Sequence, residues 1–420
     1  MREIKFSLVS LFFCILVYLA HFTCASKFIT IFMFFKKLKD IGRNTLKIIH
    51  CADLHLDSSL TANFNAGQTK ERKLELINSF ERLLRYADEN LVDAVIIAGD
   101  LFDKPIVSKT TKNIVLDGIT RLKDIDFYYL KGNHDEFNSL DQLRNLPENL
   151  HLFNNEWQTY TAFSSDYYDI TISGKELTSR DSNLDLEGLE LEASDFNIVC
   201  LHGQLTGYES KKDDINIPLN GLVGKNIDYL ALGHIHKESV GEIDSRGIYA
   251  YSGALEGRGF DELGEKGFIL LNIDEENHSF THEFIPFAKR TLEEVWVDIT
   301  DAYTSLDVIE LATEAINEAN IPKTSLIKLV LVGEVLVEAD INENVIKRHF
   351  ENDFFYIKIV NDSRFKLNIS DYAHEESLKG EFVRLIATDK ELSNKDKMQI
   401  INIGIKALTN DLGKQDYEIN

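Results

Sequence analysis

Lys47-Ile48-Ile49-His50-Cys51-Ala52-Asp53-Leu54-His55 is the stretch on which the fold class turns. The run from Lys47 to Ala52 reads as a buried strand, and it stops on a carboxylate and an imidazole two residues apart. Period-two geometry at a strand end would point Asp53 and His55 the same way. Taken alone, such a pair is more often a turn aspartate beside a surface histidine. Outward from this run the same event recurs. Ala94 to Ala98 runs into Gly99-Asp100-Leu101-Phe102-Asp103, and Phe127 to Leu130 leads to Gly132-Asn133-His134-Asp135. Asn197 to Leu201 meets His202-Gly203, and Ile227 to Leu232 meets Gly233-His234-Ile235-His236. Between the first runs, Leu76, Phe80, Leu83, Leu84 and Ala87 recur at helical spacing from Glu71 to Glu89, and a further helix is expected around Thr111 to Leu122. Strands alternate with helices, and each polar cluster sits just past a strand end. That is the α/β layout in which loops at the carboxyl ends of strands gather side chains from distant positions.

Each cluster also has a bland counterpart: a plain Gly-Asp or Gly-Asn turn, or a histidine packed at a strand end. Their joint occurrence after successive apolar runs removes that reading. Together they supply Asp, Asn and His donors, the set that a pair of borderline divalent ions takes, with no cysteine to favour structural zinc.

The order and spacing of these clusters resemble the calcineurin-like metallophosphoesterase superfamily over about Lys47 to Phe268. Within it, Cys51-Ala52-Asp53-Leu54-His55-Leu56-Asp57, Gly99 to Asp103, and Tyr251-Ser252-Gly253-Ala254-Leu255-Glu256-Gly257-Arg258-Gly259-Phe260 look like the SbcD-type DNA repair exonucleases, YhaO-like bacterial proteins above all. The resemblance implies a two-sheet α/β sandwich flanked by helices, followed by a small α+β capping domain and C-terminal helices. It implies that Asp53, His55 and His236 hold one metal ion and Asn133, His202 and His234 a second, with Asp100 bridging them. His134 would protonate the leaving oxygen or stabilise its charge. Some members carry a histidine where this chain has Asp103, which is read as a carboxylate orienting a ligand. Arg258 would contact a phosphate, and a salt bridge to a neighbouring acid is the equal alternative. Manganese suits these donors best, with magnesium, iron and zinc left open.

The activity so implied is metal-dependent exonucleolytic and endonucleolytic hydrolysis of DNA phosphodiester bonds, in cytoplasmic DNA repair with an SbcC-like coiled-coil ATPase. The chain has no Gly-x-x-x-x-Gly-Lys-Ser/Thr motif, so ATP would be handled by another subunit. Two other readings stay open: a phosphatase or small-molecule phosphodiesterase on the same scaffold, and a non-catalytic adaptor of an ATPase complex. A homodimer also stays open. The full set of expected ligands together with His134 argues against loss of activity.

The 420 residues suffice for two or three domains, and 44% hydrophobic with 27% charged residues excludes a wholly disordered chain. A net charge of -24 runs against a nucleic-acid substrate and calls for a local basic surface or a partner that supplies one. It is the best support for the small-ester reading. Periodicity changes near Arg290: Val295 to Ile299, Leu306 to Ala319, Leu326 to Val332 and Phe355 to Val360 read as strand, helix, strand and strand of a small unit. The resulting division is an extension over 1–46, a catalytic unit over 47–290, a capping unit over 291–376 and terminal helices over 377–420. In those helices Leu378, Phe382 and Leu385 share one face and Ile401, Ile405 and Leu408 another, which suits either a partner or the chain's own core.

Cys14, Cys24, Cys51 and Cys200 do not form a disulfide framework and suit reduced thiols in the cytosol. The acidic stretch from Asp181 to Asp195 reads as a solvated loop face. Phe6 to Ser26 carries no charged residue and is long enough to span a bilayer, with Lys36, Lys37, Lys39 and Arg43 behind it. It reads either as a membrane anchor with the catalytic unit in the cytoplasm or as translated upstream sequence before a start at Met33.

Overall fold

The computed structural model describes residues 45–409, apart from 59, 61–63, 104–106, 136–139, 141–145, 166, 178–187, 207–214, 337–338, 367–368 and 373. The apolar N-terminal stretch, its flanking basic residues, Cys14 and Cys24 lie outside the described residues, as do residues 181–187 of the acidic stretch. Among the described residues, no helix is long and apolar enough to cross a membrane.

The first half of the chain alternates strand and helix as its periodicity predicts. It runs β1 (Thr45–Cys51), α1 (Ala66–Glu89), β2 (Ala94–Ala98), α2 (Lys109–Arg121), β3 (Asp126–Leu130), β4 (Leu150–Leu152), β5 (Gln158–Ser164) and β6 (Asp169–Gly174). There follow β7 (Phe196–His202), the short pair β8 (Gln204–Leu205) and β9 (Asn216–Ile217), then β10 (Tyr229–Gly233), β11 (Ser239–Glu242), β12 (Ile248–Tyr251), β13 (Gly267–Asp274) and β14 (Ser279–Pro286). Helix α1 starts at a capping box, in which Asn65 and Gln68 each bond the other's backbone amide. Its Leu76, Phe80, Leu83, Leu84 and Ala87 face inward and are buried.

These strands form two six-stranded sheets. One has the order β14-β13-β1-β2-β3-β4 and the other β11-β12-β10-β7-β6-β5. Strands β1 to β4 run parallel in the first sheet, and β12, β10, β7 and β6 run parallel in the second. Parallel strands covered on both faces need near-continuous apolar sequence, which is why every residue of Ala94–Ala98 is buried. Ile48, Ile96 and Tyr128 of the first sheet meet Ile172, Ile198 and Tyr229 of the second in a shared core. Helices α1 and α2 cover the outer face of the first sheet. The sandwich implied by the resemblance is the fold, and the carboxyl ends of β1, β2, β3, β7 and β10 carry the polar clusters.

After Arg290 come β15 (Leu292–Asp298), α3 (Ser305–Glu318), β16 (Leu326–Val332), β17 (Glu334–Val335), α4 (Glu343–Phe350), β18 (Tyr356–Asn361) and β19 (Arg364–Phe365). Strands β15, β16 and β18 form a parallel sheet with a core of its own, in which Val297, Val308, Leu329 and Ile346 are buried. Helices α5 (Leu378–Thr388) and α6 (Asn394–Thr409) close the described chain. Their shared core is Tyr372, Val383, Ile401 and Ile405, with Phe382 and Ile386 packed against it. The apolar face of α5 read from the sequence is divided: Phe382 packs against this core, whereas Leu378 is 72% and Leu385 67% exposed, because the inward arc is centred on Val383.

Candidate metal centre

The strand-end loops interlock before any ion is considered. Beyond β1, the amides of Asp53, His55 and Leu56 donate to the carbonyls of Gly99, Asp100 and Leu101 beyond β2 at 2.9–3.1 Å. Asp53 (φ 53°), His55 (φ 45°), Asp100 (φ 52°) and His234 (φ 98°) all sit in left-handed backbone. Aspartate and histidine are among the side chains found most readily in that region, yet each such residue costs of order 1–3 kcal/mol, which surrounding structure must offset. This corrects the period-two expectation: strand β1 ends at Cys51, and successive left-handed turns bring Asp53 and His55 together. Gly132 is required for close approach, since a Cβ there would lie 2.1 Å from Asp100 Oδ1.

The donors then converge. Ligand atoms of Asp53, His55 and His236 lie within 4.8 Å of one another, as do those of Asp53, Asp100 and His202. His55 Nε2 and His236 Nε2 are 3.1 Å apart. Asn133 Oδ1 lies 3.0 Å from His202 Nε2, and the His234 ring meets that of His202 edge-on at 5.4 Å. Asp100 Oδ2 stands between the two groups, 3.7 Å from His55 Nε2 and 3.5 Å from His202 Nε2. Its Oδ1 accepts from the His134 amide at 2.9 Å, and both oxygens of Asp53 accept from the His234 amide at 3.0 Å. Asp53, His55, Asp100 and His202 are almost completely buried.

The rings are oriented from outside. His202 Nδ1 donates to the carbonyl of Ala98 at 2.9 Å, and His236 Nδ1 donates to Glu262 Oε1 at 2.8 Å. Asp103 Oδ1 lies 3.0 Å from His55 Nδ1, outside good hydrogen-bond alignment. Each arrangement turns an Nε2 lone pair inward, as metal-ligating imidazoles require. Electrostatics point the same way. Burial would raise the Asp100 pKa and lower that of His202, yet their mutual attraction holds Asp100 well below the usual carboxylate range and pushes His202 up to about 9. Buried acids facing inward-turned imidazoles form a site that calls for cations. The donor set fits two divalent ions.

His134 is 43% exposed at the mouth, with Nδ1 3.3 Å from Asp103 Oδ1. Arg258 pairs with Asp103 through Nη1 at 3.0 Å and with Glu262 through Nη2 at 2.9 Å, so the ion pair held open as its alternative role is present. Its side chain also lines a cavity of about 690 Å³ together with Asp100, Asn133, His134, His234 and His236.

Residues 46–238 match the model of the calcineurin-like phosphoesterase family. The chain contains a calcineurin-like phosphoesterase domain. It is similar to the uncharacterized metallophosphoesterase YhaO of Bacillus subtilis, at 28% identity over 70% of this chain and 74% of YhaO. It is also similar to the DNA double-strand break repair protein Mre11 of Methanopyrus kandleri, at 26% identity over 54% of each chain. The Mre11 of Archaeoglobus fulgidus is 24% identical over 60% of this chain and 62% of that protein. The chain thus spans less than two thirds of either Mre11. Among solved structures, a dimetal phosphatase from Danio rerio matches 57% of this chain at 10% identity with a TM-score of 0.38, too slight a likeness to bear on chemistry.

Two acids of the phosphoesterase domain escaped the sequence reading. Glu262 holds both His236 and Arg258. Asp135 is fully buried and accepts from the amides of Leu101, Phe102 and Gly132 at 2.8–3.1 Å, fastening the loop after β3 to the loop after β2. Burial and the Asp100 carboxylate push its pKa up to about 7. Its place directly after Gly132-Asn133-His134 was a usable signal. Glu262 sits among several loop acids, and nothing in its spacing marks it.

Proposed function

We propose that this metallophosphoesterase hydrolyses phosphodiester bonds in DNA at a two-metal site. The observation that carries the reading is the position of Asp100 Oδ2 between His55 and His202, which is where a carboxylate bridging two cations belongs. Asp53, His55 and His236 would hold one ion and Asn133, His202 and His234 the other, manganese being best suited to oxygen and imidazole donors. Such ions supply Lewis-acid stabilisation of phosphate charge and activation of an attacking water. His134, exposed at the mouth, would deliver a proton to the leaving oxygen, and Asp103 beside it would set its orientation. Arg258 would meet a phosphate oxygen from the cavity wall.

Support for a DNA substrate comes from the Mre11 relatives and from Lys237, an exposed cation that lines a cavity shared with Arg258 and Lys266 and with the acids Asp100, Asp261 and Glu262. The unit over 292–365 would cap the site, since its Tyr356 packs against Phe260 of the cavity wall. A role in cytoplasmic DNA repair with an SbcC-like coiled-coil ATPase fits the exposed Leu378 and Leu385 on α5 and Ile403 on α6, apolar side chains suited to a partner.

The test is manganese-dependent release of nucleotides from linear duplex DNA by the full chain, with p-nitrophenyl phosphate and bis-p-nitrophenyl phosphate alongside. Degradation of the DNA is expected. Activity confined to the small esters, even with a candidate ATPase present, would favour the phosphatase or small-molecule phosphodiesterase reading, to which the acidic charge lends weight.

A further inference from the structure

Between the last histidine ligand and β13 the chain carries Phe260, a ring to which the hydrolysis above gives no task. Phe80, Phe102 and Phe268 of the sandwich are fully buried, whereas Phe260 is partly exposed in the wall of the metal cavity. The ring is braced from far along the chain. Tyr356, the first residue of β18, lies 6.1 Å away between centroids at a 33° tilt, and Phe64 meets Tyr356 edge-on at 5.0 Å. Lys237, exposed, and Lys266, buried but for its face on the cavity, line the same wall beside Asp261 and Glu262, and the Lys266 ammonium is fixed by donating to the Leu263 carbonyl at 3.1 Å. A braced aromatic ring beside cations is what a nucleotide engages, its base stacking on the ring and its phosphate meeting the ammonium groups. A simple phosphate ester has no base to offer.

We propose that Phe260, Lys237 and Lys266 form a nucleotide subsite beside the metal centre, in which Phe260 stacks on an unpaired base of the DNA strand and the lysines meet the phosphate next to the scissile one. The subsite rests on the phosphodiesterase reading above and deepens it. It gives the site a preference for strand ends and unpaired nucleotides, where a base is free to leave its neighbours.

The probe is a short single-stranded oligonucleotide with a terminal 2-aminopurine and cleavage-resistant phosphorothioate links, added to the full chain and followed by fluorescence. Stacking should quench the probe in the wild type and in Phe260→Trp. In Phe260→Leu, which keeps apolar volume against Tyr356 but has no π face, the quench should be lost and binding weakened about tenfold. Lys237→Ala should lower the salt dependence of binding by about one phosphate contact. Equal quenching and affinity in wild type and Phe260→Leu would overturn the subsite and leave Phe260 as a wedge between the two units. A wild type that cleaves DNA without quenching the probe would overturn the subsite alone. A wild type that hydrolyses small esters but binds no oligonucleotide would overturn the DNA reading and the subsite with it.

Discussion

His134 stands apart from the other histidines of the site because it is exposed and its backbone amide, rather than its ring, contacts a ligand carboxylate. A residue that moves a proton without holding a metal can be removed with the metals left in place. His134→Ala should therefore lower kcat by about 10²- to 10⁴-fold, while elemental analysis finds unchanged metal content. A parallel loss of metal would assign His134 to the ligands instead. Glu262 predicts the opposite division. With His236 no longer held at Nδ1, Glu262→Ala should weaken metal binding by about 10- to 100-fold, measured by calorimetric titration with manganese, and added metal should restore turnover. The convergence of the proposed ligands was legible in the sequence because a strand end fixes where its next residues lie, so Asp53, Asp100, Asn133, His202 and His234 stand out by position. Glu262, Asp135 and Phe260 were not, because their roles depend on contacts between loops far apart in sequence.

At the scale of elements, helix α1 ties the sandwich to the unit that follows it. Glu75, buried on α1, receives the guanidinium groups of Arg72 and Arg290, and Arg290 also stacks over Phe355 at 3.7 Å and donates to the Thr324 carbonyl. Gln68 at the start of α1 donates to the carbonyl of Phe355 at 2.7 Å. Removing one member leaves a buried charge without its partner, so Glu75→Ala should cost about 3–5 kcal/mol in urea unfolding. Burial acts to raise the Glu75 pKa, but its bonds to Arg290, Lys289 and Arg72 prevail and lower it from 4.5 to about 2. A depressed carboxylate pKa stabilises the fold above the unfolded value, so this contribution should fade as pH falls from about 4.5 toward 2. An unfolding free energy that falls equally with pH in Glu75→Ala and wild type across that window would count against the network. Arg290 was legible as a change of period, whereas its contacts with α1 were not, since a salt bridge across more than two hundred residues leaves no periodic trace.

For the whole molecule, alternating apolar runs and helices gave the α/β class and the site's place at the carboxyl ends of strands. The division into two sheets came through the family resemblance, because strand pairing such as β1 with β13 joins segments that local pattern cannot connect. Likewise, helical spacing identified α5 but not its inward arc, which is set by where α6 lies. Because the proposed metal ligands come from the ends of strands in both sheets, bound ions should stabilise the sandwich as a unit. At a hundredfold excess over Kd one site adds about 2.7 kcal/mol, so chelation should lower the Tm seen by calorimetry and manganese should restore it. The most direct measurement is the number of manganese ions bound per chain, counted by native mass spectrometry after reconstitution. Two ions in the wild type, falling together with bis-p-nitrophenyl phosphate hydrolysis in Asp100→Ala, is the expected result. Hydrolysis sustained by a wild type that holds one ion or none would contradict the two-metal account.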